Sequence, residues 1–185
     1  MSEPPRPWTE ILDFWFAPGM RERWFVKDSS FDDQVRRRLA PHLERALAGD
    51  YAAWMAEPRG CLALCLLLDQ VPRNLYRDDP RAYAHDAQAL SVTRHALTQG
   101  FESALSQVER LFLYLPLEHA EDLALQDECV ARVRALDEDP QWHDYALRHR
   151  EIVARFGRFP HRNAVLQRPS SAEELAFLEE EGSSF

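Results

Sequence analysis

The stretch Cys61 to Val71 constrains the fold most, because a run of leucines leaves it almost no polar face. Leucine and alanine predominate there, whereas a buried strand would favour β-branched residues, so the stretch predicts a helix. A helix that is apolar on nearly all sides belongs at the centre of a core. Its apolar part, Cys61 to Leu68, is eight residues long, whereas a membrane-spanning helix needs about 20.

Further helices are indicated by apolar residues at helical spacing and by capping residues. Ser29 or Ser30 is the expected N-cap of a helix whose apolar residues recur every four positions from Phe31 to Leu47. Pro116 is expected to interrupt the chain between two helices, and Ser171 with Glu174 predicts a capping box for a last helix that ends at Gly182. The remaining predicted helices are Pro7 to Phe16, a short helix that Asp50 opens and residues 58–60 close, Asp79 to Gln99, Glu102 to Leu115, Leu117 to Leu136 and Pro140 to Phe156.

No alternating pattern is long enough to predict a strand. We therefore predict an all-α protein of about eight to ten helices in hairpin-like pairs, without a regular repeat. A chain of 185 residues predicts a single helical domain over residues 1–185.

Composition excludes several classes of function. The net charge of −9 argues against nonspecific nucleic-acid binding, which needs a basic face. Cys61, Cys65 and Cys129 form no disulfide framework and are interpreted as small buried residues. The N-terminus lacks the apolar core of a signal peptide, which favours a cytoplasmic protein that neither enters nor crosses a membrane. The sequence carries no signal for an oligomeric state.

The stretch from Arg155 to Asn163 is the most unusual polar segment. It combines three arginines, a histidine and an asparagine with Phe156 and Phe159, and Gly157 and Pro160 exclude a helix there. A solvated loop does not need the two phenylalanines, and a core segment does not favour the arginines. The mixture indicates a loop that its aromatic residues anchor, so that its polar groups are held in fixed positions.

Arginine offers a fork of donors that suits carboxylate or phosphate, and a Pro-Arg-Asn pattern occurs both at residues 72–74 and, with an inserted histidine, at residues 160–163. We therefore predict a polar pocket for a small anionic ligand or the acidic end of a peptide. Its predicted ligand-binding residues are Arg73, Asn74, Arg77, Arg110, Tyr114, His119, His149, Arg158, Arg162 and Asn163.

Two alternatives stay open. In the first, the protein is a cofactor-independent hydrolase in which His161 is the general base and Glu118 orients it. In the second, the protein is a structural or interaction scaffold whose arginines only brace its helices through carboxylates. Glu118 and His119 also suggest a metal, but Glu-x-x-His and His-Glu-x-x-His are both absent, so neither a metal nor a cofactor is predicted.

Several segments together resemble the bacterial domain-of-unknown-function family 924. They are residues 11–16, 68–77, 109–119, 156–163 and 173–178, and the resemblance runs from about residue 8 to Phe185. It implies an all-helical, tetratricopeptide-like fold without a regular repeat, and it implies no activity. The chain departs from the family at Gln167, where a glycine is usual, and glutamine resists backbone angles that glycine accepts.

Overall fold

The structure is a computed structural model that describes Arg6 and residues 8–183. Within them the chain forms nine α-helices and no strand, which confirms the all-α prediction. The helices are α1 Thr9–Trp15, α2 Ser29–Leu47, α3 Pro58–Cys65, α4 Val71–Leu75, α5 Asp86–Thr98, α6 Gln107–Glu118, α7 Leu123–Arg134, α8 Pro140–Phe156 and α9 Ala172–Leu178.

The apolar stretch lies at the centre, as predicted, but its helical part is longer than expected. α3 begins at Pro58, which suits the first turn because proline lacks an N–H group. Residues Leu66–Gln70 form a π-helical turn, and α4 continues from it. All five residues of the π turn are buried. π-helical turns occur often at functional sites, because they displace side chains from their ordinary helical positions.

Local signals placed some helix ends correctly and others wrongly. α8 begins and ends where the sequence predicted, and Ser171 forms the predicted capping box with Glu174. Asp28, and neither of the two serines, caps α2 through the N–H groups of Ser30 and Phe31. Pro116 does not interrupt α6, which continues to Glu118 because a proline near its end removes only one backbone hydrogen bond.

The hydrophobic core has one large cluster and one small one. The large cluster gathers the apolar faces of α1 to α7 with part of α8. The small cluster joins Ile152 and Val153 of α8 to Phe159 of the following loop. None of the described helices is long and apolar enough to cross a membrane.

Candidate functional site

A cleft of about 490 Å³ opens where the start of α5, the α6–α7 junction and the loop after α8 meet. Its walls include Tyr83, Asp86, Pro116, His119, Glu121 and Arg162, together with apolar residues of α5 and α7. The cleft thus unites segments that are far apart in the sequence.

The loop after α8 is held in place by its phenylalanines, as its composition predicts. Gly157 ends α8 with a left-handed backbone conformation, which glycine adopts without strain. Phe159 follows, is fully buried, and donates its backbone N–H to Glu121 Oε1 at 2.8 Å. The Phe156 ring packs on Phe177 of α9 with ring centroids 5.1 Å apart. The loop is therefore fixed to α9 on one side and to the α6–α7 junction on the other.

Glu121 and Arg168 form the second anchor of this loop. Arg168 donates two hydrogen bonds to the Glu121 carboxylate, at 2.6 and 2.9 Å, and a third to the backbone oxygen of Phe159. Its Nε donates to Asn163 Oδ1 at 3.0 Å. Burial opposes the charge of Glu121, but the bonds from Arg168 and from Phe159 hold its pKa below the ordinary value.

Arg162 is the cation that this loop brings to the cleft. It is 6% exposed, and its guanidinium lies over the rings of Tyr83 and Phe159, at 4.7 and 4.5 Å from their centroids. Its contact with a carboxylate is long, 3.5 Å from Nη1 to Asp86 Oδ2. Its buried Nε has no hydrogen-bond partner among the described residues. Burial and the neighbouring Arg73 lower the pKa of Arg162 to about 10, so the group stays charged at neutral pH.

Asp86 is only a weak partner for Arg162 because Arg73 already occupies it. Arg73 donates to both Asp86 oxygens, at 2.8 and 2.9 Å, and also to the backbone oxygen of Asp69. Burial opposes the charge of Arg73, but Asp69 and Asp86 hold its pKa above the ordinary value. Arg73 therefore ties the π turn to the start of α5.

The π turn directs Asp69 towards His119 at the end of α6. Their side chains lie 2.7 Å apart, from His119 Nδ1 to Asp69 Oδ1, and Gln70 donates to the other carboxylate oxygen. Burial would raise the pKa of Asp69, but Arg73 and His119 lower it, so the carboxylate is charged and His119 Nδ1 carries the hydrogen. Burial and Arg73 lower the pKa of His119, which leaves a lone pair on Nε2 of the neutral ring.

Glu118 and His149 lie beside this pair, deeper in the protein. Glu118 Oε1 is 3.5 Å from His149 Nδ1, and Glu118 Oε2 is 3.9 Å from Cys129 Sγ. His149 Nδ1 also lies 2.8 Å from the backbone oxygen of Tyr145. Burial, with a contribution from Asp69, raises the pKa of Glu118 to about 8. Burial lowers the pKa of His149 to about 3, so both groups are largely neutral at pH 7.

His161 stands next to Arg162 in the same short turn, and its ring lies 5.7 Å from that of Phe159. Burial lowers its pKa to about 4, with further lowering by Arg162 and Arg73. His161 is therefore neutral at pH 7. The pairing of His161 with Glu118 that the hydrolase alternative requires stays a prediction; Glu118 lies beside His149 and Cys129.

The remaining predicted residues lie outside the walls of this cleft. Asn74 and Arg77 both donate to Asp32 of α2. Arg158 donates two bonds to Glu174 of α9, at 2.7 and 2.8 Å. Asn163 is buried and holds Ser170 and Arg168 within the loop.

Arg110 and Tyr114 line a second cavity, of about 420 Å³, between α6 and α7. Tyr114 donates to Glu102 at 2.9 Å, and Arg110 donates to the backbone oxygens of Glu102 and Leu105. Arg110 and Tyr114 therefore line a different cavity from the one that contains Arg162.

Sequence reasoning missed two residues of the site. Tyr83 has no sequence signal, since it is one aromatic residue at the start of a predicted helix. A signal for Arg168 was available, because it directly follows Gln167. Gln167 has a left-handed φ of 55° and stands where the family that the chain resembles usually has glycine. A turn of that kind brings the arginine back towards its own loop.

Comparison with known proteins identifies the family. The model of the family described as "Bacterial protein of unknown function (DUF924)" matches residues 11–182, so the chain belongs to this family. A solved structure of a protein of unknown function from Agrobacterium tumefaciens is similar. It is 38% identical, with 93% of this chain and 96% of that chain covered and a TM-score of 0.88. No curated protein matches the chain.

Proposed function

We propose that the cleft binds a small molecule through an anionic group, carboxylate or phosphate, which Arg162 recognises. The observation that carries this proposal is the unsatisfied state of a buried cation. Arg162 is almost fully buried, lines the cleft and keeps a buried Nε that no described residue satisfies. A buried charge is costly unless it is paired, and an anion in the cleft would supply the missing acceptor.

The neighbouring carboxylates do not take the place of such an anion, because each of them already accepts hydrogen bonds from other residues. Asp86 is occupied by both terminal nitrogens of Arg73, and Glu121 by those of Arg168. Asp69 accepts from Gln70 and His119. Arg162 therefore keeps donor capacity that none of the described residues uses.

The size and walls of the cleft favour a small ligand over a long peptide. A volume of about 490 Å³ lies within the range of about 300–1,000 Å³ found for small-molecule sites. Leu90, Leu125 and Leu166 line it beside the polar groups. We expect the ligand to combine one anionic group with an apolar body.

The scaffold alternative accounts for some of the predicted arginines but not for Arg162. Arg77 and Arg158 each make two hydrogen bonds to one carboxylate, which is the geometry of an internal brace. These residues are excluded from the proposed recognition. Arg158 lies in the same loop as Arg162 and makes a matched control.

A binding screen tests the proposal. Purified protein is mixed with phosphate, sulfate, acetate, citrate and mononucleotides, and the melting temperature and binding heat are measured. Ligand at 100 times its dissociation constant stabilises a protein by about 2.7 kcal/mol, or roughly 5–10 °C for a chain of this size.

We expect at least one anion to raise the melting temperature of the wild type and of Arg158→Gln. Arg162→Gln should fold and should bind that anion at least about tenfold more weakly, which corresponds to about 1.4 kcal/mol. The proposal fails if no anion binds, or if Arg162→Gln binds as tightly as the wild type.

A further inference from the structure

Three metal-ligating side chains converge behind the cleft, apart from Arg162. Glu118, His119 and His149 each offer one ligand atom, and these atoms lie within 4.8 Å of one another. Glu118 and His149 are 5% and 6% exposed, whereas His119 also lines the cleft. Glu118 and His119 lie at the C-terminal end of α6, and His149 lies in the middle of α8. Glu118 and His149 are 31 positions apart in the sequence.

Both histidines make a hydrogen bond that metal-binding histidines usually make. Such a histidine donates its second N–H to a carboxylate or a backbone oxygen, which fixes the ring and the tautomer. His119 Nδ1 meets Asp69 Oδ1 at 2.7 Å, and His149 Nδ1 meets the Tyr145 backbone oxygen at 2.8 Å. The two oxygens only accept, so Nδ1 is the donor in each ring, and Nε2 of each neutral ring carries the lone pair.

Asp69, the residue that orients His119, is itself held in place by hydrogen bonds and charge. It accepts a hydrogen bond from Gln70 Nε2 at 2.7 Å. Arg73 Nη1 lies 3.4 Å from the same carboxylate. Asp69 is thus held in one position by the π turn, and His119 is held by Asp69.

The Glu118 carboxylate has no arginine or lysine partner among the described residues. It lies beside His149 and the Cys129 thiol. A carboxylate this deeply buried needs a compensating cation or a proton. A bound metal ion would supply that charge.

We propose that Glu118, His119 and His149 bind one divalent transition-metal ion of the zinc class. Two imidazoles and one carboxylate form a ligand set that zinc accepts, with one position left for water or a ligand. Magnesium and calcium prefer oxygen ligands alone and fit this set poorly. Zinc–ligand bonds of about 2.1 Å place ligands roughly 3.4 Å apart, so the side chains need to approach by about 1.4 Å at most.

This inference goes beyond the proposed anion site and does not depend on it. Arg162 contributes no ligand to the metal, and the metal ligands Glu118 and His149 are not among the walls of the cleft. The ion would enter through the cleft, since His119 is the one ligand of the three on its wall.

Metal binding can be measured directly on the full-length protein without an affinity tag. The protein is stripped with a chelator, and zinc binding is measured by equilibrium dialysis with metal analysis. Cobalt(II) is then titrated, since its visible absorption reports four- or five-coordinate binding. We expect one equivalent of zinc to bind and cobalt to produce that absorption.

Three variants and one control distinguish this site from adventitious binding. His149→Gln and Glu118→Gln should each weaken zinc binding at least 100-fold and abolish the cobalt absorption, and Asp69→Asn should weaken it about 10–100-fold through His119. His143→Gln removes another histidine of the same helix and should leave binding unchanged. Circular dichroism identifies folded variants, and Glu118→Gln serves as the test if His149→Gln does not fold.

The proposal is overturned if the wild type binds less than one equivalent, or if folded Glu118→Gln binds zinc as the wild type does. Equal weakening by His143→Gln would also overturn it, because binding would then not depend on this cluster. Anion binding by Glu118→Gln separates the two proposals: a variant that loses zinc but retains the anion supports two independent sites.

Discussion

Breaking the Glu121–Arg168 pair should destabilise the protein much more than breaking a surface ion pair. The pair has two hydrogen bonds, at 2.6 and 2.9 Å, and its side chains are only 26% and 24% exposed. The same carboxylate accepts the Phe159 N–H. Glu121→Gln keeps an acceptor for that N–H and removes the charge.

The expected magnitude follows from this partial burial. Exposed pairs contribute about 0.2–1 kcal/mol, whereas removing one partner of a buried pair costs about 3–5 kcal/mol. A pair that is a quarter exposed lies between these limits. We expect about 2–3 kcal/mol for Glu121→Gln and for Arg168→Gln separately, with a coupling energy of about 1–2 kcal/mol.

Urea denaturation of the wild type, both single variants and the double variant measures this coupling. The matched control is the Arg150–Asp127 pair, which has one 2.8 Å bond and is 37% and 55% exposed. Its coupling should stay below about 0.5 kcal/mol. A Glu121–Arg168 coupling no larger than that of the control would refute the reasoning that this pair anchors the loop.

Three further predictions concern backbone strain and pH. Gly60→Ala should lower the unfolding free energy by about 1–3 kcal/mol, measured by denaturation, since its Cβ would lie 2.3 Å from the Trp54 backbone oxygen; an unchanged value contradicts this contact. Gln167→Gly should raise the unfolding free energy slightly, by no more than about 1 kcal/mol, because φ is 55° there and a left-handed residue costs about 1–2 kcal/mol, whereas Gln167→Val should lower it. The pKa of His161 is lowered to about 4 in the folded protein, so on acidification below pH 6.5 the unfolded state takes up the proton first. Stability should therefore fall towards pH 4 by up to about 1.4 kcal/mol per pH unit from this group, and His161→Gln should flatten that slope; identical slopes would refute it.

Local chemistry explains which parts of the fold were predictable. The Asp139-Pro140 start and the Gly157 end determine α8 within the chain itself, and so does the reciprocal bonding of Ser171 and Glu174. These signals act over a few residues, so they can be read without the rest of the protein.

The π turn and the course of α6 through Pro116 were not predictable in this way. A π turn inserts one residue into a helix, and here its buried residues Asp69 and Gln70 hydrogen-bond to each other, while Asp69 also contacts His119 of a distant segment. α6 continues past Pro116 because its last residues are buried against other helices. Tertiary packing outweighs local preference at both positions.

The composition of the site was partly predictable, but the partner of each charge was not. The sequence indicated polar side chains at Arg73 to Arg77, at Glu118 and His119 and in the loop of residues 155–163, and the contacts of His119 with Asp69 and of Phe159 with Glu121 bring these parts of the chain together. Which carboxylate an arginine pairs with depends on distances across the fold. Arg77 pairs with Asp32, 45 residues away in the sequence, and no spacing rule identifies that partner.

Anion binding at Arg162 can be located most directly by diffraction from crystals soaked with tungstate, whose anomalous signal marks its position. We expect a peak in the cleft within hydrogen-bond distance of the Arg162 guanidinium, and no such peak in Arg162→Gln crystals. A fully occupied tungstate elsewhere, with Arg162 bonded only to Asp86, would contradict it.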